Sequence, residues 1–139
     1  MKLLGVLLLL VSHTLLASAN TQSLPLMPYP QSLQQGENTL QLSDNIAFEI
    51  AGMSEQRALF LLPYYQQQFA DVGFTLSSEN EQTTLINIIV NQGHTVKFKL
   101  PQLHQDESYQ LTITEQGIEI VAATDFGAIQ GLATLNQLF

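Results

Sequence analysis

The sequence predicts an α+β domain, a largely antiparallel β-sheet with two helices packed on one face. Two runs carry apolar residues at steps of three and four, Ala58 to Val72 and Ala128 to Phe139, and around them lie segments in which apolar and polar residues alternate. The order is strands, helix, strands, helix, which suits two layers sharing one core. Once an N-terminal leader is set aside, roughly 120 residues remain, enough for one modest core and too few for a second domain.

The leader is residues 1–19. Lys2 precedes an apolar run from Leu3 to Val11, and the small residues Ala17 and Ala19 stand two apart, the pattern of a secretory signal peptide cleaved before Asn20. The apolar run is too short for a comfortable membrane span. Cysteine is absent, so an exported domain must rely on its core alone and has no site for lipid attachment. The expected product is exported, periplasmic or secreted, and off the membrane after cleavage. The net charge of −8 leaves Arg57, Lys97 and Lys99 as the permanent cations beyond the leader. They form no basic stripe that could neutralise phosphates, which argues against a nucleic-acid partner.

Residues 20–36 read as a Pro-rich lead-in, in which Pro25, Pro28 and Pro30 favour extended backbone. The domain proper is expected over residues 37–139. Beyond Gly36, Asn38–Leu42 and Ile46–Ile50 read as two half-buried strands separated by the turn residues Ser43, Asp44 and Asn45. Ser54 is positioned to cap a helix whose stripe is Ala58, Leu62, Tyr65, Phe69 and Val72, ending at Gly73. Pro63 removes one backbone hydrogen bond within it, so a kink or break is expected near Leu59–Leu62. Phe74–Leu76 reads as a short strand. After a polar loop, Ile86, Ile88 and Val90 share one face of a central strand. Tyr109, Leu111 and Ile113 then pair across a turn with Ile118, Ile120 and Ala122 as a hairpin. Thr124 caps the last helix, with Ala128, Leu132, Leu135 and Phe139 as its apolar stripe, opposite Gln130, Thr134 and Gln137. Gly127 and Gly131 lie one turn apart. Glycine costs a helix ~1 kcal/mol relative to alanine, so the pair predicts close approach of the backbone to a neighbouring element.

Chemistry-bearing residues are sparse. Asp106 and Glu107 are adjacent carboxylates, but neighbours near a strand point to opposite faces, so they read as solvated charges at a strand entrance. His94, His104 and Asp106 match no compact zinc motif, and no metal or other cofactor is expected. Asp125 falls in the first turn of a helix, where a negative charge is favourable with the helix dipole. Tyr65 and Phe69 lie on the apolar stripe and read as core, with Phe60 and Tyr64 nearby, and the absence of tryptophan argues against a dedicated sugar-stacking platform.

Two segments carry a family resemblance. Asp106, Glu107, Ser108 and Tyr109, followed by Gly127, Ala128, Gly131, Leu132, Thr134, Leu135, Gln137 and Leu138, closely resemble the end of the N-terminal domain that precedes the catalytic barrel in family 20 glycoside hydrolases, the β-N-acetylhexosaminidases and chitobiases. Leu26 to Leu42 is similar to that domain's entrance. Gln130 departs from relatives that often carry arginine or an aromatic residue there. The resemblance implies an exported β-N-acetylhexosaminidase acting on terminal N-acetylhexosamine residues of amino-sugar glycans or chitooligosaccharides. In that family the 2-acetamido oxygen of the substrate attacks the anomeric carbon, assisted by an Asp-Glu pair on the barrel. No catalytic, substrate-binding or metal residue is therefore expected in this chain, which reads as stopping before the barrel. Gly127, Gly131, Leu132, Leu135 and Phe139 are the candidates for packing against the barrel, the expected partner. The competing expectation is a stand-alone exported carbohydrate-binding or interaction domain on the same scaffold, because fold does not fix function.

Overall fold

A computed structural model describes residues 24–77, 83–91 and 104–139. The leader, His94, Lys97 and Lys99 lie outside the described residues.

The element order is β1 (Asn45–Ala51), α1 (Glu55–Asp71), β2 (Thr75–Leu76), β3 (Thr83–Val90), β4 (Tyr109–Thr114), β5 (Gly117–Ala122) and α2 (Asp125–Asn136). The strands form one sheet in the order β2-β1-β3-β5-β4. The α+β class and the two helices are as the sequence predicts, but the sheet is mixed and mostly parallel. β1 runs parallel to β2 and β3, and β3 parallel to β5; the β4–β5 hairpin supplies the antiparallel pairing. The reason is the placement of α1 between β1 and the strands that flank it, since a helical crossover returns the chain parallel to the strand it left.

The same topology corrects the first expected strand. Residues 38–42 form none; the start of β1, with which they would pair across the turn, has β2 on one side and β3 on the other. Leu40 from this segment still packs against the core.

Register aligns apolar side chains in rows across the sheet. Phe48 stands beside Ile86, Ile86 beside Ile118 and Ile118 opposite Ile113; the next row is Ile50, Ile88, Ile120 and Leu111. A slip of one residue would turn every member of these rows to the other face, so burial fixes the register. Ile46, Ile86, Ile88 and Ile120 have no exposure, and Tyr65, Phe69, Ala128, Leu132 and Leu135 of the helices close over them. The opposite face is mixed: Glu49, Asn87, Glu119 and Thr112 form one row, flanked by Ala47 and Leu85 on one side and by Ile89 and Val121 on the other.

Helix α1 starts where expected. The Ser54 hydroxyl accepts from the N–H of Arg57 at 3.4 Å, and Gly73, at φ 103°, turns the chain out of the helix. The helix is continuous through Pro63 from Glu55 to Asp71. Val72, expected on the buried stripe, is instead the C-cap and half exposed, because the helix ends one residue before it. Thr134 also departs from the expected polar face of α2: it is buried, and its hydroxyl lies 2.5 Å from that of Tyr109. A threonine can sit in an apolar interface when its hydroxyl is paired this way.

Candidate functional site: the helix layer

The two glycines of α2 set its distance from the sheet. A Cβ on Gly127 would collide with the backbone oxygen of Ser108 and lie 3.1 Å from the Cβ of Ala122. On Gly131 it would lie 2.6 Å from Ile120 Cγ2 and 3.2 Å from Tyr109 Cδ2. The close approach predicted from their spacing is present, and the neighbouring element is this domain's own sheet. Leu132 and Leu135 are buried in the same core. Four of the five candidates for packing on another domain are thus occupied within this one. The fifth, Phe139, lies past the helix, with its ring 5.2 Å from that of Phe69 and 5.0 Å from that of Phe74.

The acidic pair ties the entrance of β4 to the start of α2. Asp106 Oδ1 accepts from the N–H of Ser108 at 2.9 Å and from its hydroxyl at 2.6 Å. These bonds, the hydroxyl's first, hold the exposed Asp106 carboxyl below its ordinary pKa. The Thr124 hydroxyl donates to the backbone oxygen of Asp106 at 2.5 Å and accepts from the N–H of Gly127 at 3.2 Å, capping α2. Glu107 accepts from Gln130 Nε2 at 3.0 Å. Both carboxylates therefore have structural partners at the strand entrance. His104 sits in a turn with φ 67°. Among the described residues no group of three or more His, Asp or Glu is arranged to hold a metal ion.

Asp125 does more than complement a helix dipole. Its Oδ2 lies 2.9 Å from Arg57 Nε, with both side chains nearly buried, so the first turns of α1 and α2 are joined by an ion pair. The Arg57 guanidinium also lies over the ring of Phe126, 4.8 Å from its centroid. Burial raises the pKa of Asp125, and the charge of Arg57 opposes that rise without cancelling it. Farther along, Tyr65 donates its hydroxyl to the Ile129 oxygen at 3.1 Å, and burial pushes its pKa up. Sequence patterning missed the ion pair, because Arg57 and Asp125 stand far apart in the chain; the one signal was a cation placed on the core-facing side of α1.

The outer side of the helix layer is the least expected surface. Leu59 and Phe60 are each 69% exposed and Tyr64 60% exposed, so α1 offers an apolar, aromatic strip to solvent. The one charged residue of α2 is Asp125, which is buried. Its positions away from the sheet include Phe126 and Ala133, both half-buried, and the exposed Gln130, while the half-buried Ile129 packs against the core. A helix that ends its life at a surface ordinarily carries charge on its outer face, and one apolar around its circumference belongs to an interior. The described outer side of α2 is thus short of charge for a surface helix. A hollow of about 290 Å³ elsewhere, lined by Ser43, Thr83, Thr84 and Glu115 among others, has Glu115 as the carboxylate among its described lining residues.

A family model described as glycosyl hydrolase family 20, domain 2, matches residues 23–139. Among solved structures, the X-ray structure of the Flavobacterium johnsoniae chitobiase is similar, with a TM-score of 0.61 and 27% identity over 81% of this chain. The match takes in 18% of the chitobiase chain, so this chain spans a small part of that protein's length. With a family model matching from residue 23 to residue 139, the chain belongs to glycosyl hydrolase family 20, of which it represents domain 2.

Proposed function

We propose that this chain is the non-catalytic N-terminal domain of an exported β-N-acetylhexosaminidase, which removes terminal N-acetylhexosamine residues from β-linked amino-sugar glycans or chitooligosaccharides. The substrate-assisted chemistry belongs to a barrel that follows the domain, and the domain's role is to seat against that barrel. The observation that carries this reading is the helix layer of a family 20 domain 2 whose outer side is uncharged on α2 and aromatic on α1. Leu59, Phe60 and Tyr64 replace Gly127, Gly131, Leu132 and Leu135 as the proposed contacts, since the latter are filled by the domain's own sheet. Glycoside hydrolysis requires a carboxylic acid placed over the leaving oxygen, and the carboxylates described here bond Ser108 or glutamine side chains, pair with Arg57 or face solvent. Reading the gene past the codon for Phe139 tests the proposal. A (β/α) barrel with an adjacent Asp-Glu pair at a strand end supports it; a stop codon contradicts it.

The exposed Phe60 and Tyr64, one helical turn apart, favour a second reading, a stand-alone module that stacks sugars on that strip. Chitooligosaccharide titration followed by amide shifts confined to α1 would support the second reading over the first.

A further inference from the structure

Gln137 and the Pro-rich lead-in are separated by 110 residues and meet in the fold. Gln137 Oε1 accepts from the Met27 N–H at 2.8 Å, and its Nε2 donates to the Met27 oxygen at 3.1 Å. A side-chain amide presents a donor and an acceptor side by side, so it pairs with both backbone groups of one residue as a neighbouring strand would. Nε2 also lies 3.3 Å from the Ala133 oxygen, which keeps the side chain along its own helix. Beside this contact Leu26 is 5% exposed, whereas Met27 is 80% and Tyr29 58% exposed. The lead-in is thus anchored at Leu26 and Met27.

The other side of the same helix end is held as well. Phe139 packs its ring on Phe69 and Phe74, at the far end of α1. Between the two anchors the backbone closes with Gln137 N–H to Thr134 O at 3.1 Å and Leu138 N–H to Leu135 O at 3.0 Å.

We propose that Leu26 and Met27 form a strap across the end of α2, that Gln137 fastens it, and that the strap and Phe139 together fix the direction in which the chain leaves the helix layer. The consequence for the enzyme rests on the reading above that a catalytic barrel follows α2: Gln137 is then a positioning residue, and the strap sets how the domain is aimed at the barrel. The strap itself is a property of residues 24–139 and does not depend on that reading.

Chemistry supplies a test that simple loss of packing would not mimic. In Gln137→Glu the carboxylate keeps the acceptor for the Met27 N–H but turns a second acceptor toward the Met27 oxygen. Protonation returns an O–H donor there, at a pH near or below about 4.3. Amide exchange of the protein is followed by NMR at pH 7 and at pH 3.5, each rate normalised to its intrinsic value and to wild type at the same pH. The expected result for Q137E is exchange at Met27 roughly fivefold or more faster than wild type at pH 7, with most of that difference gone at pH 3.5. Gln137→Met, similar in shape and without polar atoms, is expected to be accelerated at both pH values. Wild-type exchange at Met27 in Q137E at pH 7, or identical behaviour of Q137E and Q137M at both, would overturn the strap. A reading frame without a barrel would leave these rates as predicted and remove only their meaning for domain seating.

Discussion

Replacing Gly127 by alanine sets two opposed effects against each other, and the structure decides between them. In an open helix the change would stabilise by ~1 kcal/mol, because glycine loses more conformational freedom on folding. Here the new methyl meets a backbone oxygen of Ser108, at the entrance of β4, and the Cβ of the buried Ala122. Neither obstacle can rotate away, so the overpacking penalty falls at the upper end of its usual range, about 3 kcal/mol. The expected net loss for G127A is about 2 kcal/mol. Gly131 faces side-chain atoms of Ile120 and Tyr109, and Ile120 has no exposure and little room to yield. A penalty of about 2 kcal/mol leaves a net loss of about 1 kcal/mol for G131A. Gly36, with nothing nearer than Asn38 N at 4.0 Å, serves as the control, and G36A is expected within about 0.5 kcal/mol of wild type. Urea unfolding of residues 20–139, read by circular dichroism with a common slope, gives the three values. Finding G127A as stable as wild type would show that α2 does not depend on glycine to approach the sheet, and the packing argument would fail.

Truncating Asp125 takes away the ion-pair partner of the nearly buried Arg57, so D125A is expected to lose about 3 kcal/mol in the same unfolding assay, while a loss under about 0.5 kcal/mol would mean that the pair is not formed. Asp106 has a folded-state pKa below its unfolded value, so its contribution is present above the unfolded pKa and is lost as pH falls through the folded one. The stability gap between wild type and D106N should accordingly be widest near neutral pH and close in acid; a gap independent of pH contradicts the Asp106–Ser108 bonding. The double variant F60S/Y64S should shift the stability of the isolated domain by no more than about 0.5 kcal/mol. If the proposed barrel follows and covers them, the same pair should cost about 2 kcal/mol or more in the longer protein, and equal effects in both settings would contradict that seating.

The two-layer plan was legible wherever one element carried its own signal. The caps at Ser54 and Thr124, the alternation of Ile86, Ile88 and Val90, and the hairpin from Tyr109 to Ala122 are all local patterns, and each appears in the structure. Strand direction was not legible in the same way. Alternation in β1 and β3 is the same whether they run parallel or antiparallel; the direction is set by the helix between β1 and its neighbours. The false strand at residues 38–42 has a related cause: its pattern suits a strand, but the start of β1, with which it would pair across the turn, already has β2 on one side and β3 on the other.

The functional surface was harder still, because it depends on which side of each helix the sheet covers. Gly127 and Gly131 correctly signalled close packing, but a glycine pair does not say with what. Tyr65 and Phe69 were legible as core from their spacing. Leu59, Phe60 and Tyr64 are exposed because α1 turns Arg57, Tyr65 and Phe69 inward, an orientation set by the sheet and not by the helix's own pattern. Arg57 and Asp125 could not be paired from sequence, since nothing local to either points to the other.

The central claim is that this domain supports, and does not perform, the hydrolysis of β-N-acetylhexosaminides. The most direct measurement compares release of aryl alcohol from an aryl N-acetyl-β-D-glucosaminide by purified residues 20–139 and by the product of the reading frame continued past Phe139. The account predicts no turnover by the former and hydrolysis by the latter; turnover by residues 20–139, or none by the longer product, would contradict it.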